Sequence, residues 1–338
     1  MRTVVIGAGA MGGVYGGLLA LAGHPVSLLD TREAHVRAIA REGLRLSGIR
    51  GEHTVRLPVA TRPAELGRFE LAIVFTDSNA TAEAAAEAAE LLAPEGFALT
   101  LQNGIGNVEA LEAVLGAGRV LAGVSMNSAA GPAPGCSLFT NAGMTSLGEL
   151  HGEPSPRAAR VVAMLQAAGL EAEVVDDPMA AIWSKFVLNC GVNALTAVSQ
   201  LRAGEMFRVP ELNALQRRVI DEILLVAARK GVRLADPDPR HTIRELCRLR
   251  FNKPSMLQHL EQGRRTEIDA INGALVREAR ALGLDVPCNE TLVAVVKGLE
   301  LSRRQALHGP QPDYEAAEAA ALAELRAGLP APGDEVVS

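Results

Sequence analysis

The chain has 338 residues, of which 48% are hydrophobic, and a formal net charge of −6. That length suits one large or two ordinary domains able to bury about 75% of the unfolded surface, while an acidic balance with no basic run excludes a nucleic-acid or anionic-membrane footprint. Cys136, Cys190, Cys247 and Cys288 are widely spaced with no CxxC, and the histidines show no HxxxH or HExxH pattern, so neither disulfides nor a metal site is expected. No unbroken run of about 18 apolar residues is present and the opening apolar segment is too short for a signal sequence, so a cytoplasmic protein is expected.

The chain opens with a β-branched strand, Thr3–Ile6, that runs directly into Gly7-x-Gly9-x-x-Gly12. Glycines at this spacing let the backbone turn tightly, approach a pyrophosphate and pack the next helix closely on the sheet, and the helix N-terminus then offers N–H groups to an anion. A small-residue helix over 10–22 stops at Gly23-His24, and a second strand, Val26–Leu29, ends in Asp30. Strand, turn, helix, strand and acid fall within about 30 residues, the length of one dinucleotide-binding unit. Gly7, Gly9, Ala10, Met11 and Gly12 are therefore expected at the phosphates, with Asp30 and Arg32 at the ribose end. A carboxylate there suits the ribose hydroxyls of NADH and an arginine suits the 2′-phosphate of NADPH, so the pattern leaves NAD(H) and NADP(H) both open.

Residues 34–42 read as a helix and 44–60 as a short hairpin. Segments 71–75, 97–101 and 120–124 read as further buried strands, with a helix over 81–92 and a break at Pro94-Glu95-Gly96. Five such strands with helices between them predict an open parallel sheet covered on both faces. Residues 131–135 form a turn cluster, 137–150 suit antiparallel strands added to the sheet edge, and a helix over 157–168 precedes a strand over 172–175. Asp176-Asp177-Pro178 marks a boundary, because acids and an early proline prepare a helix start. Beyond it the pattern is helical at 179–198, 210–230, 241–250, 256–261, 266–282 and 289–304. The expected division is a dinucleotide-binding domain over 1–176, a helical substrate and dimerisation domain over 177–310, and an extra helix (314–328) with a flexible tail within 311–338.

Ligands of such sheets sit beyond the carboxyl ends of the strands, where Gln102-Asn103-Gly104-Ile105-Gly106-Asn107 follows the fourth strand. Asn103 can donate and accept, whereas Asn107 reads as a cap for the helix that begins near Val108. Across the boundary, Lys185, Asn189 and Asn193 are spaced i, i+4, i+8 and share one stripe of one helix. That spacing fits a solvated face. Trp183, Phe186, Val187, Leu188, Cys190 and Val192 cover most of the rest of the circumference, however, so the stripe is expected to face a cleft or a partner. In a cleft, Lys185 can protonate a developing alkoxide while the two amides orient substrate. Residues 254–258 read as a capping box, Ser255 as N-cap and Gln258 reaching back. Glu267 falls in the first turn of the expected 266–282 helix, where a carboxylate is favourable for dipole reasons alone.

The opening GAGAMGG, the QNGIGN loop, Pro134-Gly135 with Gly148-Glu149, the WSKFVLNCGVNALTA helix, SML and TEIDAING together resemble the ketopantoate reductase (2-dehydropantoate 2-reductase) family, in order and spacing, to about Arg304. The resemblance implies an α/β Rossmann-type domain joined to an all-α domain like that of 6-phosphogluconate dehydrogenase, with the active site in the cleft between them. It implies NAD(P)H-dependent reduction of a small 2-oxo acid, foremost ketopantoate to pantoate in pantothenate biosynthesis. By the same resemblance Lys185 is the general acid, Asn103 holds the nicotinamide end and substrate, Asn189 and Asn193 hold substrate polar groups, Ser255 lies near the substrate carboxylate, and Glu267 bonds its hydroxyl. An apolar helical domain also makes a homodimer the expected assembly. Two positions depart from the pattern: members often carry a lysine where this chain has Asp77, and an asparagine used by some members is Ala203 here. These changes keep a paralogous 2-oxo acid, β-hydroxyacid or imine reductase open, and a non-catalytic dinucleotide-sensing protein is the remaining class.

Overall fold

The computed structural model describes residues 1–150, 155–310 and 313–327. The first half runs β1 (Thr3–Ile6), α1 (Ala10–Leu21), β2 (Val26–Leu29), α2 (Glu33–Glu42), β3 (Leu44–Gly48), β4 (His53–Val55), β5 (Val59–Ala60), β6 (Phe69–Val74), α3 (Thr81–Leu91), β7 (Leu92–Thr100), α4 (Asn107–Leu115), β8 (Val120–Ser125), β9 (Ser128–Ala130), β10 (Cys136–Asn141), β11 (Thr145–Glu149), α5 (Pro156–Ala167) and β12 (Ala172–Val174). Eight strands form one sheet in the order β12-β11-β8-β7-β6-β1-β2-β5. Every neighbouring pair is parallel except β11 on β8. β1 and β2 are buried along their whole length, as largely apolar strands must be when helices cover both faces. The chain leaves β1 for β2 on one side and later returns to β6 on the other, so the glycine turn opens at the point where strand order reverses, the position at which such sheets bind ligands.

Three local expectations are corrected here. The hairpin over 44–60 forms only in part: β3 and β4 pair antiparallel, but β5 leaves them and joins the main sheet beside β2. Only β11 extends the main sheet, since β10 pairs with β3 and β9 in a separate four-stranded sheet. That second sheet covers α1, whose Val14 and Leu18 share one core with Leu44, Leu46 and Phe139. Finally, β7 runs through Pro94-Glu95-Gly96 instead of starting after them. The irregularity is absorbed as a register shift against β6, in a stretch where β8 does not yet pair, its first partner being Ala98.

The second half runs α6 (Pro178–Ser199), α7 (Ala203–Phe207), α8 (Pro210–Lys230), α9 (Pro239–Leu249), α10 (Ser255–Glu261), α11 (Asn272–Ala281), α12 (Pro287–His308) and α13 (Tyr314–Arg326), with no strand among the described residues. α6 starts as its sequence dictates: Asp177 caps it by accepting from the Ala180 N–H, and Pro178 occupies its first turn. Its apolar faces, through Trp183, Phe186 and Leu195, share one core with Val219 and Ile223 of α8, Leu275 of α11 and Val296 of α12. By length and composition α6 could cross a membrane, although polar residues interrupt its apolar run. It is instead the central core helix of this half. The helix expected over 266–282 starts only at Asn272. Residues 266–271 form successive turns in which the Glu267 carbonyl accepts from the N–H groups of Ala270 and Ile271. The short helix α7 had no counterpart in the sequence reading. The expected tail helix is α13, and its last expected residue, Gly328, and the tail beyond it lie outside the described residues.

Candidate active site

The cofactor end is built by the turn after β1. Gly7 holds φ +88°, where a Cβ would stand 2.6 Å from the Thr76 nitrogen, and a Cβ on Gly12 would stand 2.0 Å from the Gly7 carbonyl oxygen. Backbone on both sides rules out any side chain. Gly9 caps α1 without a side-chain hydrogen bond, so the N–H groups of Ala10, Met11 and Gly12 in its first turn are left for an anion. His35 pins the turn from α2: its Nε2 bonds the Ala8 carbonyl at 2.8 Å and its Nδ1 accepts from the Gly135 N–H at 3.0 Å.

Asp30 and Arg32, both expected at a ribose, pair with each other. Arg32 Nε donates to Asp30 Oδ1 at 2.8 Å, Arg32 Nη2 to Oδ2 at 2.7 Å, and the Arg32 backbone N–H to Oδ1 at 3.0 Å. Burial pushes the Asp30 carboxyl up, yet this bidentate pairing pulls it below its ordinary value. The carboxylate is buried, whereas the guanidinium keeps 53% of its surface and lies within 3.5 Å of the Gly9 Cβ position. What faces outward here is the cation.

A second group of candidate residues gathers from both halves. Glu267 Oε1 accepts from the Ser78 backbone N–H and hydroxyl, each at 3.0 Å, and Oε2 accepts from Asn103 Nδ2 at 3.1 Å. Beside these, Asn79 Nδ2 donates to the Thr266 carbonyl at 2.7 Å, and Arg264 pairs with Asp77 at 2.8 Å. Lys185 reaches from α6 to the end of β8, where its Nζ donates to the Ser125 carbonyl at 2.5 Å. Burial lowers its pKa to about 8, against an opposing upward pull from the Glu267 carboxylate. An ammonium able to release its proton near neutrality is suited to donating to an oxygen that gains negative charge.

Asn189 and Asn193 follow Lys185 along α6 as their spacing dictates. Asn189 Nδ2 is buried with no partner among the described residues, and Asn193 is 7% exposed. A buried amide without a partner costs free energy unless something else fills the role. Ser255 opens α10 but does not cap it: Pro254 is the N-cap, and Gln258 Nε2 donates to the Lys253 carbonyl. The expected capping box is therefore absent, because the preceding proline sets the helix start one residue earlier. Asn107 likewise does not cap α4, whose N-cap is Gly106; it accepts from the Thr81 hydroxyl at 2.7 Å and donates to the Asn103 carbonyl at 2.8 Å. Asp77 faces Arg264, and Ala203 is fully buried in the helical core.

Sequence reasoning passed over Ser78, Asn79 and Arg264. Ser78 and Asn79 follow β6, so their place beyond a strand's carboxyl end was the available signal. Nothing local marks Arg264.

A family profile described as ketopantoate reductase PanE/ApbA matches residues 3–152, and its C-terminal counterpart matches residues 177–300. The chain belongs to the ketopantoate reductase family. It is an NAD(P)-dependent oxidoreductase. A 2-dehydropantoate 2-reductase of Archaeoglobus fulgidus is 34% identical over 300 residues, covering 88% of this chain and 98% of that protein. One of Halobacterium salinarum is 33% identical over 298 residues with the same coverage. Among solved structures, a PanE/ApbA family ketopantoate reductase from Ralstonia eutropha superposes with a TM-score of 0.84 at 34% identity, over 90% of this chain and all of that one. A D-mandelate dehydrogenase in ternary complex with NADH and anilino(oxo)acetate gives 0.85 at 26% identity, over 90% of this chain and 99% of that one.

Proposed function

We propose that this reductase converts ketopantoate to pantoate, in pantothenate biosynthesis, using NADPH in preference to NADH. The observation that carries the reading is that Lys185, its pKa brought down to about 8 by burial, lies within the electrostatic influence of the Glu267 carboxylate, which Ser78 and Asn103 of the other half hold. We assign residues 1–176 to dinucleotide binding and 177–310 to substrate binding.

A bound reduced nicotinamide supplies the hydride. Gly7, Gly9 and Gly12 leave the room its phosphates need, and the first turn of α1 supplies N–H groups without a competing side chain. Arg32, pinned by Asp30 with an exposed face, presents a planar cation to a 2′-phosphate, while the buried Asp30 already accepts two hydrogen bonds at Oδ1 and one at Oδ2 from Arg32 and is less available to ribose hydroxyls. Lys185 gives its proton to the ketone oxygen as charge develops there, and the Ser125 carbonyl fixes where that proton starts. Glu267 Oε2 accepts one bond from Asn103 and has capacity for a substrate hydroxyl. Asn189 has an amide to offer the substrate, with Asn193 one turn further on and Ser255 on the neighbouring helix.

A second reading, reduction of a bulkier 2-oxo acid, is favoured by the similarity to a D-mandelate dehydrogenase bound to anilino(oxo)acetate. Loss of NADPH or NADH absorbance against ketopantoate and phenyl-substituted 2-oxo acids separates the two. The first reading requires the highest kcat/KM with ketopantoate and NADPH; an aromatic 2-oxo acid outperforming it would replace that reading.

A further inference from the structure

Beneath Lys185 lies a buried polar cluster that the chemistry above does not use. Tyr15 of α1 donates to Ser125 Oγ at 2.8 Å and shares a 2.6 Å bond with Thr145 Oγ1 of β11. Asn127 closes the group: its Nδ2 donates to the Tyr15 hydroxyl at 2.9 Å, to Ser125 Oγ at 3.1 Å and to Thr145 Oγ1 at 3.3 Å. Its backbone N–H also reaches Ser125 Oγ at 3.2 Å, and its Oδ1 accepts from the Gly143 N–H at 2.9 Å. Tyr15, Ser125 and Thr145 are each at most 2% exposed.

Ser125 is where this cluster meets the active site. It is the last residue of β8, and β7 stops pairing with β8 at Ala122, three residues earlier. Only the pairing with Thr145 of β11 still holds Ser125 in the sheet. The cluster supplies the missing restraint through the serine hydroxyl, and the carbonyl of that same residue receives Lys185 Nζ. A lysine ammonium is a point charge on a flexible stem, so its position depends on what it bonds, and a misplacement of about 1 Å can cost roughly 10²-fold in rate.

We propose that Tyr15, Asn127 and Thr145 are positioning residues that fix the Ser125 carbonyl and through it aim Lys185 into the cleft. The proposal rests on the reading of Lys185 as the proton donor. Glu267, in the segment between α10 and α11, is the charged group whose field acts on Lys185. On the far side, burial holds the Tyr15 hydroxyl above its ordinary pKa, so the cluster stays neutral while the lysine titrates.

The chain has only four lysines, Lys185, Lys230, Lys253 and Lys297, and the other three pair with carboxylates, so the ¹³Cε signal of Lys185 can be followed in full-length protein carrying ¹³C-lysine. Its assignment comes from the signal lost in Lys185→Arg. The variants are Tyr15→Phe, which keeps the ring beside Phe75, Thr145→Val, and Thr145→Ser as the conservative control. Loosening the carbonyl removes support for the ammonium, so the lysine midpoint should fall by about half a pH unit or more in Tyr15→Phe and Thr145→Val, roughly a threefold change in the ammonium-to-amine ratio. The alkaline limb of kcat should move with it, kcat should drop while KM and dinucleotide affinity hold, and Thr145→Ser should restore wild-type values. An unchanged midpoint in either well-folded variant would overturn the proposal. A wild type that reduces no 2-oxo acid overturns the catalytic reading instead, and the NMR titration still decides the positioning.

Discussion

Lys185 shows how a residue's surroundings decide its chemistry. Free lysine titrates near 10.4 and would hold its proton too tightly for an efficient donor at neutral pH. Burial brings it to about 8, so the acid form is full at neutrality and is lost as pH rises through that value. We therefore predict a kcat that is level below about pH 8 and falls above it, measured with the chemical step shown to limit turnover. Lys185→Ala should retain dinucleotide affinity and lose roughly 10² to 10⁴ in kcat, the usual contribution of a placed proton donor; a near-normal kcat would remove Lys185 from the mechanism. At Asp30 the sequence could supply a carboxylate beside the ribose but not its partner, since only the folded turn shows both oxygens taken by Arg32. Arg32→Ala should lower kcat/KM for NADPH by about 10- to 100-fold, the worth of hydrogen bonds to a charged group, and leave NADH nearly unaffected. Equal losses for the two dinucleotides would assign Arg32 to the turn rather than to the phosphate.

Elements were legible in proportion to how local their causes are. The β1–α1–β2 unit announced itself because its glycines, strand lengths and terminal acid are all set within one short stretch. Gly12→Ala should abolish dinucleotide binding, because its methyl would stand 2.0 Å from the Gly7 carbonyl and either the turn or the helix must move; binding by fluorescence titration at wild-type strength would show that the turn can give. The stretch 266–271 misled because Ile268, Ile271 and Leu275 repeat as a helix face does. In the structure Ile268 and Ile271 are fully buried from a turn, whose Thr266 N–H is taken by Glu300 Oε1 of α12 at 2.5 Å. β10 could not have been placed from sequence either. Its alternation suits either sheet, and the choice follows from α1 needing cover, which is a property of the packed molecule.

At the scale of the whole molecule, the two halves are joined by side chains that the linear sequence separates by more than 160 positions. Ser78 and Asn103 hold Glu267, Asn79 holds the Thr266 carbonyl, and Asp77 pairs with Arg264. The Asp77–Arg264 pair is half exposed, so it is worth at most about 1 kcal/mol and cannot alone keep the halves together. Glu267 is different. It is 4% exposed and accepts three hydrogen bonds from the sheet-bearing half, and its charge raises the Lys185 pKa against burial. Glu267→Gln keeps the shape but turns an amide NH₂ toward either Ser78 or Asn103, setting donor against donor. Both consequences should appear together. KM for the 2-oxo acid should rise and kcat fall, because the substrate hydroxyl is no longer held in one geometry. The alkaline limb of kcat should also move to lower pH, since the neutral amide withdraws the charge that supports the ammonium. A variant that loses only thermal stability, with kinetics and pH profile unchanged, would make Glu267 a tie between the halves and exclude it from the reaction.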